Sequence, residues 1–136
     1  MKKLITLAAL MVALPASAAW DTNKNGVPVL ESFNDRGFFA MYQKHDGLDF
    51  VVLGRKYGDC SDGNNVIIDI NRVGVRFTYM CQYGYSYLKP KSEAGRKHVV
   101  ESFRGQSIVN VEGSKFDSFG LDAFMKMNDD RIKNAL

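Results

Sequence analysis

The sequence predicts a mainly β protein: a small antiparallel sandwich or barrel of about seven strands, with one short C-terminal α-helix packed on it. Three observations lead there. Runs rich in β-branched and aromatic residues recur at roughly 8–12-residue spacing, separated by polar clusters that close on glycine. One stretch near the C-terminus repeats apolar residues every four positions. The only cysteines, Cys60 and Cys81, form an even pair behind what reads as an export leader. A length of 136 residues fits one domain, and 24% charged with 12% aromatic residues excludes a disordered chain.

The leader comes first. Met1-Lys2-Lys3 is a basic start, Leu4 to Leu14 is apolar except for Thr6, and Pro15 then breaks the run. Ala16-Ser17-Ala18 supplies the small residues that a signal peptidase accepts. Residues 1–18 therefore read as a Sec-type signal peptide, cleaved after Ala18 or Ala19, with 19–136 as a single domain. About 11 apolar residues are too few to cross a bilayer core of roughly 30 Å, so no membrane span is predicted. No cysteine follows the small residues, so no lipid anchor is expected either. The destination is a Gram-negative-type periplasm or the exterior. Loss of Lys2 and Lys3 lowers the formal charge from +3 to +1. So balanced a domain lacks the electrostatic footprint of a nucleic-acid binder.

The strands follow in order. Val27–Phe33 stops at Asn34-Asp35-Arg36-Gly37, and Phe38–Gln43 stops at Lys44-His45-Asp46-Gly47. Leu48–Arg55 runs into the polar stretch Gly58–Asn65. Val66–Asn71 and Val75–Leu88 form a hairpin across Arg72-Val73-Gly74, which returns Cys81 toward Cys60. A bridge between them closes a loop of about 20 residues, worth on the order of 3 kcal/mol by loss of chain entropy. Lys97–Phe103 and Ser107–Val111 read as a further hairpin across Arg104-Gly105-Gln106. Asp117 or Ser118 then caps a helix over about 118–127, with Phe119, Ala123 and Met127 on one face and Phe116 and Phe124 beside it. Asn128-Asp129-Asp130 begins a last turn toward Leu136.

The candidate site centres on the run from Phe77 to Tyr87. In an unbroken strand Phe77, Tyr79, Cys81, Tyr83, Tyr85 and Tyr87 share one face, whereas a bulge at Gly84 would turn Tyr85 and Tyr87 to the other. Phenol groups need a hydrogen-bond partner or water, so such a ladder suits a half-wet surface. The next stretch, Lys89 to His98, is the most basic in the chain and reads as a loop. Within it Ser92-x-x-Gly95-x-Lys97-His98 resembles the Ser-x-x-Gly-x-Arg-Tyr loop of the periplasmic C-type lysozyme inhibitors, with Lys for Arg and His for Tyr. The match covers seven residues, and no family is assigned on it. The expected function is protein–protein recognition without catalysis, of inhibitor, immunity or adaptor type, directed at an envelope or secreted protein. Tyr83, Tyr85 and Tyr87 are its apolar anchors, and Arg96, Lys97 and His98 its charged rim. A glycan, peptidoglycan or small-ligand binder using the Tyr face is the alternative.

Chemistry is less legible. Asp21-x-Asn23-x-Asn25-Gly26 matches the first half of a calcium loop, but its twelfth position is Ser32 rather than a carboxylate, so an Asn-Gly turn is expected. Neither Cys-x-x-Cys nor His-x-x-x-His occurs, and no metal or cofactor is predicted. Ser86-x-x-Lys89 lacks companion motifs, and Gly105-x-Ser107 lacks the second glycine of a nucleophile elbow. A small envelope hydrolase would have to assemble a dyad in space, such as His98 with Asp69 or Glu101.

Overall fold

We describe a computed structural model of the chain over residues 20–56, 60, 62–105 and 107–136. The segment read as a leader lies outside the described residues, as do Gly58, Asp59, Ser61 and Gln106 of two turns. The elements are β1 (Asp21–Thr22), β2 (Pro28–Glu31), β3 (Phe38–His45), β4 (Leu48–Lys56), β5 (Asn65–Ile70), β6 (Val73–Gln82) and β7 (Tyr85–Pro90). After them come α1 (Glu93–Gly105), β8 (Ile108–Val111), β9 (Ser114–Asp117) and α2 (Leu121–Lys133). The mainly β class holds. Among the described residues, however, nine strands rather than seven form one antiparallel sheet, ordered β1-β2-β3-β4-β7-β6-β5-β8-β9 and curled into a half-barrel rather than split into a sandwich.

Two of the differences have local causes. The run Val75–Leu88 is not one strand: Tyr83 at φ 51° and Gly84 at φ 79° turn the chain back on itself, and Gln82 then faces Tyr85. Two successive left-handed residues make the tight hairpin turn whose twist matches its strands. Alternation of aromatic and small residues runs straight through the turn and hides it. Lys97–Phe103, read as a strand, belongs to α1. Ser92 caps that helix, its Oγ accepting the Gly95 amide at 3.0 Å, and Glu93 sits in the first turn, where the helix dipole favours a negative charge. Val99, Val100 and Phe103 then fall on one buried face. Burial of that face outweighs the modest preference of valine for strands.

The C-terminal helix also starts later than its sequence suggests. Ser118 is buried and spends its groups elsewhere: its hydroxyl donates to the Phe103 carbonyl, and its amide to the Ser107 carbonyl at 2.7 Å. Gly120, at φ 89°, opens the helix instead. The face turned inward is Leu121 and Met125, while the expected Phe119, Ala123 and Met127 are exposed.

Both helices lie in the concavity of the sheet, where the core forms. Inward strand residues such as Leu53, Ile70, Phe77 and Leu88 close on Val99 and Phe103 of α1 and on Leu121 and Met125 of α2. Phe103 meets Trp20 at 6.1 Å and Phe116 at 5.5 Å, both edge to face. A polar clasp draws the last strands back across the opening of the half-barrel. The Phe33 amide donates to the Lys115 carbonyl at 3.0 Å, and the Lys115 amide donates to Asn34 Oδ1 at 2.7 Å. Asp35 accepts from the Ser114 hydroxyl at 2.6 Å and from Nη2 and Nη1 of Arg55, at 2.6 and 3.2 Å. Cys60 and Cys81 are bridged, with their Cα atoms 5.8 Å apart.

Candidate functional site

Around Phe39, Gly54, Tyr85 and Tyr87 the helices leave the sheet's convex face open; at its Phe50 end Arg96 of α1 lies 5.6 Å from the ring centre, and Asp129 and Ile132 of α2 line a cavity with Phe50, Met80 and Lys89. The composition of this face follows from register. Phe39 lies opposite Gly54, and Gly54 opposite Tyr87, so these three positions form one row across β3, β4 and β7. Gly54 has no side chain to separate its neighbours, and the flanking rings lean over it. A Cβ there would lie 2.5 Å from Phe39 Cζ and 3.1 Å from Tyr87 Cδ1. Glycine within a strand often marks such a close approach. The Phe39 ring meets those of Tyr85 and Tyr87 edge to face at 6.0 and 6.2 Å, and the two tyrosines stack at 5.9 Å with 22° between their planes. All three residues are half-buried, and Val52 is buried next to them. Burial, and next the adjacent Tyr85, push the Tyr87 hydroxyl above its usual range, so at neutral pH it is a neutral donor and acceptor.

The residues expected to act together are distributed differently. Tyr85 and Tyr87 share the convex face with Met80 and Gln82, because the hairpin reverses their parity relative to Phe77, Tyr79 and Cys81. Tyr83 sits at the hairpin tip and is 91% exposed. Arg96, Lys97 and His98 belong to the first half of α1, and of the three Arg96 reaches the strip of the tyrosine pair at its far end, its guanidinium 5.6 Å from the centre of the Phe50 ring. Arg96 is only 8% exposed, donates to the Asp49 carbonyl at 2.7 Å and grips Glu93 through two bonds. Lys97 is exposed, and His98 is half-buried with Nε2 at 2.9 Å from the Ile70 carbonyl. A carbonyl can only accept, so that nitrogen carries the proton. Among the described residues, neither Asp69 nor Glu101 bonds the ring.

Phe39 and Gly54 were missed by sequence reasoning. Phe39 lies in a predicted strand, but its neighbours across β4 depend on register, which no spacing in the chain reports. A lone glycine in an apolar strand was the one available signal.

A second polar cluster lies at the mouth of the concavity. Tyr42 donates to Asp49 Oδ1 at 2.6 Å, and Arg104 bonds Asp122 at 2.6 Å while approaching Asp49 at 3.8 Å. Burial first, then the bond to Asp49, drive the Tyr42 hydroxyl far up, so it stays protonated at any physiological pH. In that state it donates to Asp49 and holds that carboxylate in place. The cluster joins β3, β4, α1 and α2, which is a structural task.

Asp21-Thr22 forms β1, and the calcium-like segment is a hairpin turn. Asn23 Oδ1 accepts the amides of Asn25 and Val27 at 2.9 and 3.0 Å, and Gly26 takes φ 80°. Among the described residues no group of three or more metal-ligating side chains converges, and no helix is long and apolar enough to cross a membrane. Comparison with known protein families, with curated proteins and with solved structures gives no match.

Proposed function

We propose that this chain is an exported binding protein that recognises another envelope or secreted protein and acts by occluding it, without catalysis, as an inhibitor, immunity factor or adaptor does. The observation that carries this reading is the ring cluster of Phe39, Tyr85 and Tyr87 on a part of the convex face that the helices leave uncovered. Tyrosine is enriched among residues that dominate protein interfaces, since its ring supplies area and its hydroxyl a bond at little entropic cost. The leader-like start and the single disulfide fit an oxidising compartment. The chain's own stacking favours a protein over a glycan: Tyr85 and Tyr87 turn ring faces toward each other and Phe39 meets both edge to face, so part of their aromatic surface is already taken up within the cluster. A sugar ring packs best on an open aromatic face.

The test is affinity capture by the mature, disulfide-bonded protein from an envelope extract, run beside a Tyr85→Ala/Tyr87→Ala variant of unchanged circular dichroism. A protein retained by the wild type and lost by the variant is the expected result. Identical capture by both would sink the assignment to this face. Binding to purified peptidoglycan, abolished by Tyr85→Ala, would move the function to glycan recognition.

A further inference from the structure

We infer that the partner surface engaged by the convex face is acidic: a protein surface on which carboxylates flank an apolar side chain. This rests on the reading of that face as the binding site. The outward positions of its central strands follow from register: Phe39, Met41, Gln43 and His45 on β3; Leu48, Phe50, Val52, Gly54 and Lys56 on β4; Tyr85, Tyr87 and Lys89 on β7; Gly74, Arg76, Thr78, Met80 and Gln82 on β6. Lys56, Arg76 and Lys89 stand among them without a carboxylate, and the acids near this face lie at its margins: Glu31 of β2 opposite Phe39, Asp69 of β5 opposite Gly74, and Asp129 of α2 across a cavity from Lys89. Cations thus hold the four central strands, on either side of the tyrosine pair, and acids the flanks.

The segregation shows again in the ion pairs. Arg55 meets Asp35, Arg96 meets Glu93, Arg104 meets Asp122, and Lys126 meets Asp130. Among the described residues, Lys56, Arg76 and Lys89 enter no such pair. The Lys89 ammonium instead lies 4.7 Å from the centre of the Phe50 ring, a cation held against the apolar strip. Position matters as much as sign. Lys56 is directly opposite Tyr85, and Lys89 follows Tyr87 by two residues on the same face. The tyrosine pair is thus bracketed by cations about 13 Å apart along the strand. An apolar group set on the tyrosines, with a carboxylate at either side, satisfies all of these positions together. Three cations around an apolar strip are too sparse for a polyphosphate, whose affinity comes from many simultaneous contacts. They are enough to steer a protein encounter and fix its register.

The test uses a random peptide library displayed on phage and selected on the mature, oxidised protein. Selected peptides are expected to combine Asp or Glu with a large apolar residue. Their affinity should fall about tenfold or more on Lys56→Glu with Lys89→Glu at low salt, and return when the peptide's acids are exchanged for lysine. Peptides without acidic excess, or ones indifferent to the charge reversal, overturn the inference. If those same peptides are still lost on Tyr85→Ala/Tyr87→Ala, the face survives and only its acidic partner falls. Indifference to both changes removes the face itself. Uptake by phosphatidylglycerol vesicles, or a concentration-dependent dimer, that vanishes with the reversal while no peptide is selected would replace the protein partner and overturn the proposal.

Discussion

On the concave face Phe77 and Phe103 lose all contact with solvent, whereas on the convex face Phe39, Tyr85 and Tyr87 remain half-buried against one another. The residue types are nearly the same. What differs is cover: α1 and α2 fill the concavity, while the convex rings have only their strand neighbours and a glycine beneath them. Aromatic side chains thus do two jobs in one sheet, and their pattern in sequence does not separate them. The concave set is held by burial on every side. The convex set keeps surface that a partner can still remove from water.

The sharpest way to break the comparison is to truncate one ring on each face. Phe103→Ala should cost about 3–5 kcal/mol, since it opens a cavity between Trp20 and Phe116. Tyr85→Ala should cost about 1 kcal/mol or less, because its ring is only partly withdrawn from water. Urea unfolding of both variants checks this, and comparable losses would mean that the convex cluster is a second core.

Gly54→Ala comes next. The added methyl would collide with the Phe39 ring, which must swing away and disturb its packing on Tyr85 and Tyr87. A loss of about 1–3 kcal/mol is expected, together with a changed near-ultraviolet circular dichroism signal from tyrosine. An unchanged spectrum would show that the rings do not depend on this glycine.

The smallest effect belongs to the clasp. Hydrogen bonds from Arg55, then Ser114, hold the Asp35 carboxyl below its ordinary range. On acidification the unfolded chain takes up this proton first, so the clasp contributes fully above about pH 5 and its contribution fades as pH falls toward 3 and below. The stability gap between wild type and Asp35→Asn should therefore narrow over that interval. A gap independent of pH would place the role of Asp35 outside its charge.

Much of the sheet was legible. β2 to β6 start within a few residues of their predicted places, because alternation and the glycine-closed turns at Gly37 and Gly47 are local signals. The Cys60–Cys81 bridge was legible from an even pair of cysteines behind a leader-like start. Lys97–Phe103 was misread because two adjacent valines fit a strand or a helix equally until it is known what they pack against. The hairpin at Tyr83-Gly84 was hidden because a bulky residue seldom takes the left-handed conformation found there. Of the expected site, Tyr85 and Tyr87 came together on an open face, while Arg96 turned inward to Asp49 and Glu93.

The sequence by itself determined a mainly β chain with one disulfide, short turns and a small formal charge of +3. These depend on composition and on neighbours a few residues apart. Only the tertiary structure decided which face of the sheet is covered, that Phe39, Gly54 and Tyr87 stand in one row, and that Lys56 and Lys89 bracket the tyrosines. Those facts depend on register between strands distant in sequence and on which side the helices pack. Both are fixed by burying the largest apolar area in the concavity, a quantity that belongs to the whole fold and to no single segment.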